Sequence, residues 1–212
     1  MFLSTGEGKT LSAHTTMLAD DVGARPNDAA VIRASLGNGE CFSLLYDRYA
    51  EQLFRYAARR LGPECADDVV SETFLAAFRR RHRYDLSYLD ARPWLFGIIT
   101  KQIAGRKRTE MARYRALART GPEPVDDGLA SRVAEHVSAT AARAGLVAAL
   151  AALKPGDRDV LLLVAWNDFT YQEVADALGI KLGTVRSRLH RAREQVRAAF
   201  GDTNPIDFDE EK

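Results

Sequence analysis

The chain of 212 residues contains little of what stabilises disulfide-rich or metal-dependent folds. Its two cysteines, Cys41 and Cys65, form no CxxC pair, so we expect both to be reduced, buried thiols. Its four histidines are scattered, without the spacing of zinc ligands. The sequence therefore predicts neither a disulfide scaffold nor a metal site, and it indicates no cofactor.

Long apolar runs are also missing. The two longest, Leu146–Leu153 and Val160–Trp166, are far shorter than the roughly 20 apolar residues that a membrane-spanning helix needs. Residues 1–20 lack the charged start and apolar block of a secretory signal peptide. We therefore expect no membrane insertion and a cytoplasmic location.

What the sequence does contain is helical periodicity. Apolar residues at helical spacing, from Phe42 to Tyr56, predict a helix over about Glu40–Leu61 that ends at Gly62-Pro63. We predict no strand. Further helices are predicted at Ala29–Leu36 with Asp28 as the cap, at Glu64–Arg81, from Arg92-Pro93-Trp94 onwards, and behind a cap at Asp157.

Composition divides these helices into an all-α fold of two small helical domains joined by a flexible linker. The predicted domains cover residues 27–113 and 146–200. The linker between them, 114–145, contains the Pro- and Gly-rich stretch TGPEPVDDG. Residues 1–26, rich in Ser, Thr, Gly and Asp, are predicted to be disordered, and the acidic tail 201–212 is predicted to be frayed.

The C-terminal domain carries a helix-turn-helix pattern between Thr170 and Arg197. Thr170 and Glu173 have the spacing of a capping box, which starts a helix at Tyr171, and Gly179 follows where a left-handed residue usually ends one. The next helix has one apolar stripe and otherwise mostly basic faces. This pattern is typical of DNA-binding proteins, although a basic amphipathic helix can also be a solvated surface helix.

The net charge of +1 hides two basic blocks on an acidic background. Residues 79–119 hold 12 Lys and Arg against 3 Asp and Glu, and residues 181–197 hold 6 against 1. The first block combines arginines with the aromatic residues of a loop, a combination that binds single-stranded DNA through base stacking and phosphate contacts. We therefore predict one nucleic-acid contact in each domain, although Trp94 by itself is better explained as a core residue.

Four blocks of the sequence resemble, in their order along the chain, the sigma factors of bacterial RNA polymerase, in particular those of the extracytoplasmic-function (ECF) group. The resemblance implies a non-catalytic subunit that binds core RNA polymerase at its clamp helices and flap, recognises the −35 and −10 promoter elements, and helps to melt the DNA. It also implies an anti-sigma factor as a further partner. The blocks are FSLLYDRYAEQLFRYAARRL, ADDVVSETFLAAFRR, ARPWLFGIITKQIAGRKR and LAALKPGDRDVLLLVAWNDFTYQEVADALGIKLGTVRSRLHRAREQVR.

The resemblance also assigns residues to these contacts. The polymerase is expected to contact Asp67, Asp68, Glu72 and Phe74. The −10 element is expected to contact Arg83, Tyr84, Trp94, Lys101, Gln102, Arg106, Lys107 and Arg108. The −35 element is expected to contact Thr184, Arg186, Ser187, Arg188, His190 and Arg191, of which Thr184 and Arg188 would bind phosphates. The chain departs from the family pattern at Lys101-Gln102, where an Arg-Asn pair is usual.

Two other functions are open at this point. A stand-alone helix-turn-helix regulator would need a sensor or dimerisation domain, and the N-terminal half shows the pattern of neither. A nuclease would use Asp67, Asp68 and Glu72, but two-metal chemistry needs carboxylates that converge on the ions. All three lie on one predicted helix, so the sequence does not favour a nuclease.

Overall fold

The structure, a computed structural model, describes residues 26–119 and 144–200, and within these ranges every regular element is a helix. The predicted all-α fold is thus confirmed. The helices are α1 (Asp28–Gly37), α2 (Ser43–Leu61), α3 (Pro63–Arg80), α4 (Arg92–Gly105), α5 (Lys107–Arg119), α6 (described over 144–152), α7 (Pro155–Asn167), α8 (Tyr171–Leu178) and α9 (Leu182–Phe200).

Three predictions fall largely on other parts of the chain. The predicted N-terminal disorder, most of the predicted linker and the predicted acidic tail lie outside the described residues. Among the described residues, none of the helices has the length and apolar character that are needed to span a bilayer.

The first domain consists of α1–α5, in which α2, α3 and α4 pack around one apolar core. Two of these helices begin with a proline in the first turn, Pro63 and Pro93, where the missing amide hydrogen leaves no helical bond unmade. Gly62 separates α2 from α3 with a φ of 99°, a conformation that favours glycine. α5 carries the chain beyond residue 113, the predicted end of this domain, to Arg119.

The cap of α1 differs from the prediction. Asn27, not Asp28, caps the helix, and its side-chain oxygen accepts a hydrogen bond from a backbone N–H of the first turn at 2.9 Å. Asp28 is buried instead, and its carboxylate accepts hydrogen bonds from Arg48, Tyr49 and the backbone N–H of Ala91. Asp28 therefore ties α1 to α2 and to the start of α4.

The second domain contains α6–α9, and α8 and α9 form the predicted helix-turn-helix. The capping box is confirmed: the backbone N–H of Thr170 donates to Glu173 Oε2 at 2.7 Å, and the backbone N–H of Glu173 donates to Thr170 Oγ1 at 3.3 Å. Gly179 ends α8 in the left-handed conformation, with a φ of 64°. The predicted apolar stripe of α9 is buried throughout: Val185, Leu189, Ala192 and Val196.

The prediction that Asp157 caps α7 is wrong. The helix begins two residues earlier, at Pro155, because a proline is well tolerated at the first helical position. Lys154 is the residue before the helix, and Asp157 lies in the first turn. The carboxylate of Asp157 is buried and accepts hydrogen bonds from Arg191 of α9.

The two domains are docked through α4 and α8, whose backbones approach each other very closely. A Cβ atom added to Gly97 of α4 would lie only 2.2 Å from the carbonyl oxygen of Ala177 of α8, so a side chain has no room there. Aromatic rings pack at the same junction, with Phe96 of α4 5.1 Å from Phe169, measured between ring centroids. The buried apolar residues of both domains therefore form one continuous core.

A buried ion-pair network crosses the same junction. Arg60 of α2 donates a hydrogen bond to Glu110 of α5 at 2.6 Å and lies 2.8 Å from Asp159 of α7. Arg158 of α7 donates to the other oxygen of Glu110 at 3.2 Å. Burial raises the pKa of Asp159. Because Arg60, Arg158 and Glu110 are all 3% exposed or less, the loss of one member would leave another charge buried and poorly compensated.

Candidate nucleic-acid interface

The predicted −35 residues lie on α9, away from its buried stripe. Four of them are exposed to solvent: Arg186, Ser187, His190 and Arg191. The other two, Thr184 and Arg188, are half-buried, and the guanidinium of Arg188 approaches Gly156 of α7. The exposed face therefore combines arginine and histidine side chains on the second helix of a helix-turn-helix, which is the helix that enters the major groove in such proteins.

One arginine of this face is also bound within the domain. Arg191 donates through Nη2 to Asp157 Oδ1 at 2.9 Å and through Nε to Asp157 Oδ2 at 3.2 Å. The side chain of Asp157 is 4% exposed, whereas that of Arg191 is 50% exposed. The hydrogen bond to Asp157 raises the pKa of Arg191. This two-point contact fixes the orientation of α9 on α7. Arg191 therefore positions α9, the recognition helix, and is also part of its exposed surface.

Two aromatic rings lie side by side where the loop between α3 and α4 meets the start of α4. Tyr84 packs on Trp94 with 4.9 Å between the ring centroids, and its hydroxyl donates to the carbonyl oxygen of Tyr88 at 2.8 Å. Burial, followed by the charges of nearby carboxylates, raises the pKa of Tyr84, which keeps this hydroxyl protonated. Trp94 is half-buried against the core and also lines a cavity, so it has a structural role and a free surface.

That cavity, of about 490 Å³, lies between the loop and the helix-turn-helix. Tyr84 and Trp94 contribute to one wall, and Gly179, Ile180 and Lys181 contribute to the other. In the docked structure, the turn between α8 and α9 therefore faces two aromatic residues, Tyr84 and Trp94, that were predicted to contact the −10 element.

The other predicted −10 residues follow the loop, α4 and the start of α5. Four are exposed: Arg83, Lys101, Lys107 and Arg108. Gln102 is half-buried. Arg106, in the turn between α4 and α5, donates through Nη2 to Glu72 Oε1 at 2.7 Å. This ion pair connects a residue predicted to contact DNA with one predicted to contact the polymerase.

The predicted polymerase surface lies on α3. Three of its residues are exposed acids: Asp67, Asp68 and Glu72. Phe74 lies beneath this surface rather than on it, because it is 7% exposed and packs against Tyr46 with 4.8 Å between the ring centroids. Leu75 is the large apolar residue that α3 leaves exposed. In the described part of the chain, no three His, Cys, Asp or Glu side chains are grouped so that they could hold a metal ion.

Sequence reasoning missed the residues that join the domains. Arg60 lies four residues after Tyr56, at the next position of the apolar stripe of α2, and an arginine at such a position indicates a buried ion pair. Gly97 interrupts the apolar run of α4, where a glycine weakens a helix unless another backbone comes close. Glu110 gives no comparable signal, because it stands in a basic segment that reads as solvent-exposed.

Comparisons with known proteins agree with these two domains. A family model described as Sigma-70 region 2 matches residues 45–113, and one described as Sigma-70, region 4 matches residues 143–196. The ECF RNA polymerase sigma factor SigL of Mycobacterium tuberculosis (strain ATCC 25618 / H37Rv) is 32% identical over 82% of this chain and 92% of SigL. The ECF sigma factor BldN of Streptomyces coelicolor is 30% identical over 84% of this chain and 67% of BldN.

Solved structures show the same fold. CnrH, in complex with the cytosolic domain of CnrY, matches with a TM-score of 0.56 and 26% identity, over 84% of this chain and 99% of that chain. The sigma factor RpoE of Bartonella quintana, in complex with the anti-sigma factor NepR, matches with a TM-score of 0.53 and 20% identity, over 77% of this chain and 98% of that chain.

Region 2 and region 4 domains in this order define a sigma factor. Sigma factors are DNA-binding subunits for the initiation of transcription, and they are not a family of enzymes. The chain belongs to the ECF group of the sigma-70 family. The main interpretation of the sequence is thereby confirmed over the stand-alone regulator.

Proposed function

We propose that this sigma factor binds core RNA polymerase, directs it to promoters and helps to melt the DNA there, without catalysis of its own. The separation of two basic surfaces between two domains supports this proposal most strongly. The exposed face of α9 would read the −35 element, and the loop before Trp94 together with α4 and α5 would bind the −10 element. The protein would act in the cytoplasm, where the polymerase and the chromosome of a bacterium are found.

The polymerase would bind the exposed face of α3 through its clamp helices, and the second domain would meet the flap. Asp68, Glu72 and Leu75 are spaced by four and three residues, so they lie on one side of α3. An apolar residue next to carboxylates is complementary to a partner surface with an apolar centre and basic residues around it. The same surfaces would be available to an anti-sigma factor, and such a partner is part of the proposal.

The docked arrangement is too compact for a promoter. The centres of a −35 and a −10 element are about 25 base pairs apart, which is about 85 Å along B-DNA. In the docked structure, Lys181, just before α9, and Trp94, in the first turn of α4, line one cavity. We therefore infer that the domains separate before both elements are bound, and that the docked structure is a resting form.

Transcription with purified components tests the proposal. The protein is mixed with core polymerase and a library of promoter fragments, and run-off transcripts and DNA protection are measured with and without polymerase. We expect transcripts, and protection of both elements, only when polymerase is present. Sequence-specific protection by the protein alone would favour the stand-alone regulator, and an absence of transcripts with every fragment would refute the proposal.

A further inference from the structure

A second cavity lies at the domain junction and shares no lining residue with the first. It has a volume of about 240 Å³, and none of its lining residues is among those predicted to contact the −10 or the −35 element. Both domains contribute to its walls. The first domain supplies Arg55, Arg59 and Arg92, and the second supplies Trp166, Asn167 and Asp168.

Contacts within the protein hold two of the three arginines at the cavity. The Cζ atom of Arg59 lies 5.3 Å from the centre of the Trp166 ring. Arg92 donates through Nη2 to the carbonyl oxygen of Asn167 at 3.2 Å, and its Cζ atom lies 4.5 Å from the centre of the Phe169 ring. Arg55, the third arginine, makes a long, exposed ion pair with Glu51 at 3.8 Å and no other hydrogen bond or ion pair with a described residue. Each guanidinium group therefore has N–H donors to spare.

We propose that this cavity binds the phosphate group of a small anion. The walls contain three guanidinium groups and one carboxylate, so the site carries positive charge. The planar guanidinium group of arginine can donate two parallel hydrogen bonds to phosphate oxygens. A phosphate group also has more oxygens than a carboxylate, so it can accept hydrogen bonds from several arginines at once. Arg59 lies over the Trp166 ring and makes no hydrogen bond or ion pair with another described residue, so its N–H groups remain free to donate hydrogen bonds to the anion.

Phosphate in this cavity would favour the docked form. Because the walls come from both domains, the complete site exists only while the domains are together, and a ligand shifts an equilibrium towards the form that binds it better. This consequence rests on the proposed function, since it makes phosphate an antagonist of promoter binding by reciprocal coupling. Binding of phosphate itself is independent of that function and is measured first.

Calorimetric titration of the full chain tests the site. Inorganic phosphate, pyrophosphate and a nucleoside 5′-diphosphate are titrated separately, with sodium chloride at matched ionic strength as the blank. We expect saturable 1:1 binding of at least pyrophosphate. Equal affinity for pyrophosphate and the nucleotide would identify the phosphate group alone as the ligand, whereas tighter binding of the nucleotide would identify a nucleotide as the source of that group. Heats no larger than those of the salt blank would overturn the proposal.

Two pairs of variants distinguish specific binding in the cavity from non-specific electrostatic attraction to the protein surface. Arg59→Gln should weaken pyrophosphate binding at least about tenfold, whereas Arg33→Gln, the same change at an exposed site on α1, should not. Asp168→Asn should tighten binding about three- to tenfold, because it removes the carboxylate from the wall. Asparagine tolerates the φ of 53° at this position, so the backbone is preserved. Asp47→Asn, on the exposed face of α2, is the control for net charge.

If both variants of either pair changed the affinity equally, the binding would be non-specific electrostatic attraction, and the proposal would be overturned.

A third comparison tests the contribution of the second domain. Gly97→Ala, which has no room at the docked interface, should weaken pyrophosphate binding, whereas Gly105→Ala on the same helix, with no atom near its added methyl group, should leave it unchanged. Protection of promoter DNA by the protein with core polymerase, in a buffer without phosphate, pyrophosphate or nucleotides, reports on the proposed function separately.

Discussion

Gly97 of α4 and Ala177 of α8 lie in backbone contact, and this contact sets the distance between the two domains. The missing side chain of Gly97 lets the carbonyl oxygen of Ala177 come to where a Cβ atom would stand, 2.2 Å away. A helix–helix approach of this kind has no flexible side-chain end that can move aside. The docked form is therefore unusually sensitive to one methyl group.

The first prediction is that Gly97→Ala separates the domains without unfolding them. Alanine favours a helix over glycine by about 0.5–1 kcal/mol, so α4 itself should not be weakened. Small-angle scattering should show a larger radius of gyration than for the wild type, and promoter binding with polymerase should become tighter. Gly105→Ala should change neither quantity. An unchanged radius of gyration for Gly97→Ala would show that the interface adjusts to the methyl group.

The second prediction concerns the buried ion-pair network. Glu110→Ala removes the carboxylate that Arg60 and Arg158 share, and should lower the free energy of unfolding by about 3–5 kcal/mol. Urea denaturation measures the loss, with Glu40→Ala at an exposed site as the control. A loss no larger than that of the control would mean that water replaces the carboxylate at the junction.

The third prediction distinguishes two arginines of α9. Arg186→Ala should weaken promoter binding by about 1–3 kcal/mol if it reads a base edge, and relax the preference at one base pair, with an unchanged melting temperature. Arg191→Ala should weaken binding and also lower the melting temperature, because the buried Asp157 loses both of its hydrogen bonds to this side chain. Equal melting temperatures for the two variants would argue against a positioning role for Arg191. Equal weakening by Arg186→Ala on all DNA sequences would mark Arg186 as a phosphate contact.

The fourth prediction concerns the acidic surface of α3. Asp68→Arg should weaken binding to core polymerase while leaving the melting temperature unchanged, because the side chain is exposed. Fluorescence anisotropy of the labelled protein measures the affinity, and Glu40→Arg provides the same change of charge outside α3. Normal affinity of Asp68→Arg would place the polymerase contact elsewhere on the first domain.

Local features of the fold were predictable because neighbouring residues determine them. The capping box of Thr170 and Glu173, the left-handed Gly179 and the buried stripe of α9 each depend on residues within one or two helical turns. The cap residues of α1 and α7 were not predicted correctly, because Asp28 and Asp157 both bind partners from other helices. An aspartate near a helix start looks the same in sequence whether it caps the helix or serves a distant arginine.

The arrangement of the domains was beyond prediction for a related reason. The sequence indicated two domains joined by a flexible linker, whereas the structure shows them docked through apolar packing and buried ion pairs. Arg60 and Asp159 are 99 positions apart, and nothing local relates them. The predicted roles of the DNA- and polymerase-binding residues likewise depend on partners outside the chain, so they stay predictions.

The ion pair between Glu72 and Arg106 bears on the order in which the transcription complex assembles. While Arg106 Nη2 is bound to Glu72 at 2.7 Å, its charge is partly neutralised and less available to a DNA phosphate. A polymerase that engages Glu72 would release Arg106 at the same moment. The protein would then gain part of its affinity for DNA only after it has bound the polymerase. The free protein would therefore bind less to non-specific sites on the chromosome.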